Sequence, residues 1–334
     1  MNPDRRKIAG GVGLLTESGW MLTRLSRVVR RRLFGFAQDA PAPTRTRCVW
    51  SIGIYRGANY LEFAPPDTLV NPVLTDASVS DIRANTVADP FMLKVDGSWY
   101  MFFEIMNERT GKGVIGLATS ADGTAWAYQG VVLREPFHLS YPYVFEHRGE
   151  FYMTPECRES HAVRLYRATN FPARWSMADT LLTGPVLLDP SIVRFGDRWW
   201  LFVETNPELR YDTLRLFGAN DLRGPWSEHP ASPIVQGDPH MARPAGRVVV
   251  MGDTLIRYAQ NCAPAYGTDV RAFEVTELTD RSYQERPARA QPILGPSGIG
   301  WNRSGMHHID PHQVDGGRWI ACVDGWFAAP GPRP

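Results

Sequence analysis

Apolar and aromatic residues recur along the chain in pairs of short runs, each pair separated by a turn-forming dipeptide. FMLKVDGSWYMFFE follows Asp89-Pro90, YVFEHRGEFYMTPE follows Tyr141-Pro142, and SIVRFGDRWWLFVE follows Asp189-Pro190. In these three copies the residue before proline lies 15 positions ahead of a glutamate. A run that begins at an X-Pro step, turns at DG, RG or GD and returns through aromatic and β-branched residues predicts a β-hairpin.

Two looser copies extend the repeat, one from Arg243-Pro244 to Gln260 with two residues inserted and one from Asp310-Pro311 to Asp324. A third strand follows most copies, and in the first three it leads to a tryptophan: Trp126, Trp175 and Trp226. Repeats of about 50 residues with several strands each are typical of propeller blades. We therefore predict an all-β fold, a single five-bladed β-propeller over residues 41–330. The alternative is an open β-sandwich.

The fifth copy needs an outer strand from elsewhere in the chain. CVWSIGIYRG, which precedes the first copy, has the alternation of a strand. We predict that this N-terminal strand, around Ile52 and Ile54, completes the last blade. Closing the ring in this way removes exposed sheet edges.

Composition narrows the class of protein. Of the 334 residues, 43% are apolar, and the formal net charge is +1. The apolar content can fill a sizeable core, and so small a net charge gives no field that would attract nucleic acid. The sequence contains no run of 18 apolar residues, so no transmembrane segment is predicted. The four cysteines show no CxxC spacing, so neither a zinc site nor a disulfide framework is indicated.

Residues 1–40 differ from the rest of the chain, because arginines at positions 24, 27, 30, 31 and 32 interleave with apolar residues in a helical pattern. We interpret them as a basic N-terminal segment, helical or partly disordered. It is either a solvated helix or an amphipathic helix in peripheral contact with an anionic membrane surface. No signal peptide is evident, so we expect a cytoplasmic location.

In a propeller the inner strand of every blade lines the central channel, so polar residues at its start converge on one axis. Those positions are Asp89, Tyr141, Asp189, Arg243 and Asp310. The strand-end residues Glu104, Glu156, Glu204, Gln260 and Asp324 form a second ring. Carboxylates crowded together are costly unless they are used or paired, which predicts a site in the channel. For the second ring the alternative is that each residue caps a backbone turn.

The Asp-Pro repeat with its WYMFFE strand resembles the family 43 glycoside hydrolases, which are five-bladed propellers. YMTPE, RLYRATNFPARW and HHIDPH resemble the propeller domain at the N-terminus of glucosamine inositolphosphorylceramide transferases and in related bacterial proteins. The family 43 resemblance implies inverting hydrolysis of a glycosidic bond, with Asp89 as base and Asp189 as the helper that tunes the acid. Arg243 stands where that family has its acid. Either Glu156 or Glu204 has taken the acid role, or the domain only binds glycans.

A guanidinium in the channel favours a ligand with an acidic or phosphate group, although Arg243 could instead form a salt bridge to Asp189 or Asp310. Residues predicted to bind substrate are Tyr141, Arg243, His308, Asp310, His312 and Glu104. His307, His308 and His312 bracket Asp310, but their spacing does not suggest zinc. We expect no cofactor, except that the resemblance allows a calcium ion in the channel.

The leading hypothesis is an inverting glycoside hydrolase acting on a carbohydrate substrate. The alternative is a non-catalytic glycan-binding module linked to polysaccharide or glycolipid synthesis. A third interpretation is a propeller used only for protein interaction, which predicts a large apolar patch on one face.

Overall fold

The structure is a computed structural model that describes residues 46–330. The predicted basic segment of residues 1–40 lies outside the described residues. Between residues 46 and 330 the chain is all β apart from four single turns of 3-10 helix, at Asp76–Ser78, Arg158–Ser160, Gly300–Asn302 and Asp315–Gly317. Within this range no helix has the length and apolar character needed to cross a membrane.

The strands, in chain order, are β1 (Thr46–Asn59), β2 (Glu62–Ala64), β3 (Ala84–Val95), β4 (Ser98–Asn107), β5 (Lys112–Ser120), β6 (Ala127–Leu133), β7 (Ser140–His147), β8 (Glu150–Glu156), β9 (Ala162–Asn170), β10 (Arg174–Thr183), β11 (Leu188–Phe195), β12 (Arg198–Glu204), β13 (Thr213–Ala219), β14 (Ser227–Glu228), β15 (Val235–Gln236), β16 (Arg243–Pro244), β17 (Val249–Met251), β18 (Thr254–Asn261), β19 (Asp269–Leu278), β20 (Tyr283–Pro287), β21 (Ile309–Gln313) and β22 (Trp319–Pro330).

These strands form five antiparallel sheets, the blades of a propeller. Blade 1 contains β3 to β6, blade 2 contains β7 to β10, blade 3 contains β11 to β15, and blade 4 contains β16 to β20. Blade 5 has the order β2-β1-β22-β21 and so combines both ends of the described chain. The predicted five-bladed propeller is confirmed.

The predicted hairpin turns join the two inner strands of each blade. In blade 1, Val95 pairs with Ser98 across Asp96 and Gly97, which have φ of 48° and 82°. Two successive residues with positive φ make the mirror-image turn whose twist matches that of the flanking strands. Blade 2 repeats this geometry at Arg148 and Gly149, with φ of 54° and 77°.

Closure of the ring depends on β1. It pairs with β22 in unbroken register from Thr46 opposite Pro330 to Gly57 opposite Trp319. The side chains of Ile52 and Ile54 are fully buried. The prediction that the N-terminal strand completes the last blade is confirmed.

The repeated tryptophans hold the turns that lead into the outer strands of blades 1 to 3. The indole Nε1 of Trp126 donates a hydrogen bond to the Gly123 carbonyl at 3.1 Å. Trp175 and Trp226 do the same three or four residues back along the chain, at 2.8 and 3.2 Å. An indole is largely apolar but has one donor, so it can pack between blades and still satisfy a carbonyl.

The inner strands of blades 1 to 3 carry a β-bulge at the X-Pro step, where two residues oppose one on the partner strand. The register jumps between Ala88 and Phe91 in blade 1, and at the matching place in blades 2 and 3. The residues before proline have φ of 51°, 47° and 47°: Asp89, Tyr141 and Asp189. Because residues other than glycine rarely adopt this left-handed backbone conformation, the bulges are strained features of the three inner strands.

Blades 4 and 5 lack this bulge, which changes the positions that the sequence repeat equates. Arg243 faces Gln260 directly across the sheet. Asp310 faces Cys322, two residues before Asp324 on β22. Aligning the repeats on their X-Pro steps equates Asp310 with Asp89 and Asp189. Because blade 5 lacks the extra residue of the bulge, Asp310 lies further along its strand, away from the channel mouth.

Candidate functional site in the central channel

An open pocket of about 360 Å³ lies where the inner strands of blades 2, 3 and 4 begin or end. Its polar and aromatic walls come from seven residues: His138, Glu156, Arg158, Glu159, Tyr211, Arg243 and Tyr266. Two larger surface grooves, of about 510 and 560 Å³, lie elsewhere and contain none of the predicted site residues.

Arg243 is the centre of the pocket floor. Its Nε lies 2.6 Å from Oδ2 of Asp189, and its Nη2 lies 3.3 Å from Oδ1 of the same carboxylate. The same Nη2 reaches Oε2 of Glu156 at 3.4 Å. The salt bridge that the sequence allowed with either Asp189 or Asp310 is therefore formed with Asp189.

The rings of two tyrosines cover the guanidinium. Its central carbon lies 4.7 Å from the ring centre of Tyr211 and 5.1 Å from that of Tyr266. Cation-π contacts of this kind strengthen when the charge is removed from water. Arg243 is therefore fixed in position by partners on several sides.

Asp189 is fully buried, but its hydrogen-bond partners favour its charged form. Besides Arg243, the side-chain amide of Gln260 donates to Oδ2 at 2.7 Å. Burial alone would raise the pKa of Asp189, but the charge and hydrogen bonds of Arg243 outweigh it and hold the pKa below its usual value. Asp189 is therefore ionised at neutral pH.

Glu156 borders the same ion pair, but its pKa is shifted in the opposite direction. Its Oε2 accepts the backbone N–H of Asp189 at 3.3 Å. Burial, with the negative charge of Asp189 second, raises the pKa of Glu156 well above its usual range, against the opposing charge of Arg243. Two neighbouring carboxyl groups thus differ in pKa, an arrangement that separates acid and base roles in many enzymes.

Asp89 is a buried residue of blade 1 that does not line the pocket. Its Oδ2 accepts the backbone N–H of Tyr141 at 3.2 Å, and Nε2 of His307 lies 3.7 Å from its Oδ1. Burial raises the pKa of Asp89 to about 7, although the positive charge of His307 opposes the shift. Asp89 is therefore close to half ionised at neutral pH, which suits a general base.

His307 connects Asp89 to Asp324. Its Nδ1 lies 2.8 Å from Oδ1 of Asp324, and the indole ring of Trp50 stacks on the imidazole at 4.0 Å. Burial opposes protonation of the ring, but the Asp324 carboxylate overcomes it and raises the pKa of His307. The charged imidazole thus lies between two carboxyl groups.

Glu104 faces His138 across the channel wall. The Gly113 backbone N–H donates to Nδ1 of His138 at 2.9 Å, so Nε2 carries the proton and points at Oε1 of Glu104, 3.4 Å away. Burial raises the pKa of Glu104 well above its usual range, with the charge of Asp89 second. Glu104 is therefore a neutral hydrogen-bonding group beside the pocket.

Glu204, the other predicted acid, is fully buried and does not line the pocket. Its Oε1 accepts the backbone N–H of Asn206 at 2.9 Å, and its Oε2 has no partner among the described residues. Burial raises the pKa of Glu204 to about 7. By accepting this N–H, Glu204 caps a backbone turn. Turn capping is the alternative to a site role that the sequence allows for the second ring.

Four predicted substrate-binding residues are not brought to the pocket. Asp310 pairs with Arg247 at 2.5 Å, with Nε2 of His312 at 2.9 Å and with the Met92 N–H at 2.6 Å. Despite burial, the charge of Arg247 lowers the pKa of Asp310 to about 2.

The other two residues of this set are fully buried. His308 bonds the Pro90 carbonyl at 2.9 Å, and burial lowers its pKa to about 4. The hydroxyl of Tyr141 bonds Ser191 and the Gly246 backbone, so its ring is part of the core.

One cluster among the described residues could hold a metal ion: Asp89, His307 and Asp324 each offer one ligand atom within 4.8 Å of the others. Calcium takes six to eight oxygen ligands, and this cluster offers two carboxylates and one imidazole. The His307 ring also already bonds Asp324. The cluster by itself therefore does not supply a calcium site.

Comparison with known protein families adds to this geometry. The family model described as the N-terminal region of glucosamine inositolphosphorylceramide transferase 1 matches residues 44–326. The chain belongs to this family. The match covers nearly the whole propeller, including every residue of the pocket.

Two plant proteins named glucosamine inositolphosphorylceramide transferase 1 are relatives of this family member. The protein from Oryza sativa subsp. japonica is 34% identical over 346 residues, which cover 95% of this chain and 45% of the relative. The protein from Arabidopsis thaliana is 33% identical over 296 residues, covering 83% and 39%. The chain thus spans less than half the length of these relatives.

Solved structures similar to this family member are glycosidases with the propeller fold. An exo-beta-1,3-galactanase from Clostridium thermocellum has a TM-score of 0.52 at 14% identity, covering 64% of this chain and 51% of the galactanase. A family 117 glycoside hydrolase from Zobellia galactanivorans also has a TM-score of 0.52, at 13% identity, covering 74% and 87%. At such identities the likeness shows the shared fold.

Sequence reasoning missed several groups of this site in the family member. Tyr211, Tyr266, His138 and Arg158 lie outside the repeated motif, so no spacing marked them. His307 precedes the fifth copy of the repeat, which begins at Asp310, and is not among the predicted substrate-binding residues. One sequence signal does indicate that the fifth copy differs. Asp310 lies 14 residues before Asp324, whereas the three bulged copies have a spacing of 15, so the fifth copy lacks the residue that the bulge requires.

Proposed function

We propose that this propeller cleaves a glycosidic bond at the mouth of its channel, with Glu156 as general acid and Asp89 as general base. The observation that carries the proposal is the position of Glu156. Of the two acid candidates, it is the one that lines the open pocket, and burial raises its pKa, which favours the protonated form that a general acid needs.

The environment of Glu156 fits the acid role. Arg243 and the Asp189 N–H both approach Oε2, so the proton of the neutral acid is carried by Oε1. Asp189 acts as the helper, because its negative charge is one of the causes of the raised pKa. Inversion then requires Asp89 to activate water on the opposite face of the sugar while Glu156 protonates the leaving oxygen.

A second candidate function is glycan binding without cleavage. It is favoured by the ion pair that Arg243 forms at the acid position, because a guanidinium close to Glu156 stabilises the carboxylate and opposes its use as an acid. The relatives are named transferases, so in this case the domain would hold a glycan for synthesis.

A hydrolysis screen separates the two functions. Purified wild type, Glu156→Gln and Asp89→Asn are incubated with aryl glycosides and with polysaccharides, and the released sugar is measured. Glu150→Gln is the matched control, because Glu150 begins the strand that Glu156 ends and has an exposed side chain. Cleavage that falls about 100-fold or more in both site variants, and not in the control, supports hydrolysis.

If wild type cleaves nothing but a glycan raises its melting temperature, the domain binds without cutting. If neither cleavage nor binding of any glycan is found, both functions are rejected.

A further inference from the structure

We propose that the sugar bound in this pocket carries an oxyanion, a phosphate or a carboxylate, which Arg158 and the Nη1 group of Arg243 hold. This inference rests on the proposed carbohydrate site and names the class of ligand.

Arg243 has one donor group left for a ligand. Its Nε and Nη2 bond Asp189 and Glu156, whereas Nη1 makes no hydrogen bond with any described residue. Arg243 is 8% exposed, and Nη1 is not among the fully buried unpartnered atoms, so it keeps contact with the pocket. The tyrosine rings and Asp189 fix the guanidinium, so ligand binding does not have to order this side chain and loses less conformational entropy.

Arg158 adds a second guanidinium from another element. It begins the single 3-10 turn Arg158–Ser160, two residues after Glu156, and lines the same pocket. Its side chain forms no ion pair or hydrogen bond with residues in the described range. Two guanidiniums that converge on one cavity match the several oxygens of a phosphate or carboxylate.

The acidic residues of the pocket do not cancel this charge. Glu159 is paired with Lys112 at 2.8 Å, and Asp189 is paired with Arg243. Glu156 lies within 3.4 Å of Nη2 of Arg243, and burial raises its pKa and so favours its neutral form. Arg158 is therefore the charged residue of this wall that has no partner among the described residues.

The size of the cavity limits the ligand. A volume of about 360 Å³ lies at the small end of the range for ligand sites, which run from roughly 300 to 1,000 Å³. It suits one monosaccharide unit with its charged substituent.

Calorimetric titration of the whole chain tests the proposal. Glucose, galactose and mannose are each compared as the neutral sugar, the 6-phosphate and the uronate, with inorganic phosphate as a further probe. We expect at least one charged sugar to bind about tenfold or more tighter than its neutral form, the order of one charge-assisted hydrogen bond. A preference for the 6-phosphate identifies a phosphosugar, and a preference for the uronate identifies a sugar acid.

Arg158→Gln should remove most of this preference, so that the charged and neutral forms of the sugar bind this variant with similar affinity. Arg289→Gln, in a separate surface groove, should leave both unchanged. Equal binding of neutral and charged sugars overturns the inference but leaves the proposed function standing. Inorganic phosphate that binds as tightly as every sugar phosphate also overturns it, because the sugar then contributes nothing. Absence of binding by any sugar, including polysaccharides, rejects the proposed function itself.

Discussion

Nε of Arg243 lies 2.6 Å from Oδ2 of Asp189, which joins blade 4 to blade 3 by a buried ion pair inside the channel. The two residues come from different inner strands and meet only because the blades are arranged around one axis. The pair occupies the position at which the family 43 resemblance leads one to expect an acid. Several consequences of this contact and of its surroundings can be measured.

Replacing Arg243 with Met should destabilise the propeller by about 3–5 kcal/mol, because Asp189 is left charged and buried without its partner. Urea unfolding followed by fluorescence gives the free energy of unfolding. The double variant with Asp189→Asn should lose less than the sum of the single losses, since the unpaired charge is gone. A loss below about 1 kcal/mol for Arg243→Met would show that the pair is not buried as described.

Glu204 should make stability decrease as pH rises from about 4.5 to about 7. Its pKa is raised to about 7 in the folded protein from a reference of 4.5, so the folded state keeps a proton that the unfolded state has lost in this window. The stabilising contribution of protonated Glu204 is complete below the pKa that Glu204 has in the unfolded chain. It is lost as pH rises through the pKa that Glu204 has in the folded protein.

Glu204→Gln should therefore lack this part of the slope. Unfolding free energies measured from pH 4 to pH 8 for wild type and variant check the prediction. The difference between them should change by on the order of 1 kcal/mol per pH unit at most within the window, and should be flat above it. A parallel pair of curves would contradict the buried, unpaired position of the Glu204 carboxyl.

If the domain hydrolyses glycosides, His307 should determine the position of the acidic limb in the pH profile of kcat/KM. The charge of His307 opposes the burial that raises the pKa of Asp89, so His307→Gln should raise that pKa further. The limb of kcat/KM that reports ionisation of the base should then move to higher pH. Glu150→Gln should leave the profile in place, and an unmoved limb in His307→Gln would remove His307 from this role.

The closing strand should be energetically essential. Ile52→Ala removes three buried carbon atoms from a fully buried side chain in β1, and we expect a loss of about 2–5 kcal/mol in unfolding free energy. Val70→Ala is the control, because Val70 is 89% exposed, and its loss should stay within about 0.5 kcal/mol. Equal losses in the two variants would contradict closure of the ring by β1.

The propeller could be predicted from the sequence because each hairpin is specified locally. An X-Pro step and apolar inner strands recur in all five copies, two-residue turns join the inner strands of blades 1 to 4, and a tryptophan precedes the outer strand in blades 1 to 3. The same spacing located Asp89, Asp189 and Glu156, which lie at fixed distances from an X-Pro step. Closure by the segment around Ile52 followed from the missing outer strand of the last copy.

Only the tertiary structure decided which polar residues share the pocket and in what protonation state. Tyr211, Tyr266 and Arg158 lie in segments whose sequences carry no repeat, and they meet Arg243 only when blades 2, 3 and 4 close around the channel. Asp310 matches the repeat in sequence, yet the absence of a bulge sends it to Arg247 instead.

Protonation states depend on burial and on charges from several blades at once. Glu156 and Glu204 occupy equivalent places in the repeat, but Glu156 borders an open pocket and Glu204 is enclosed. The sequence alone therefore determined the fold and the ring of candidate carboxyl groups. The packing of separate blades determined which of them can act, because electrostatic interactions depend on distances in space rather than along the chain.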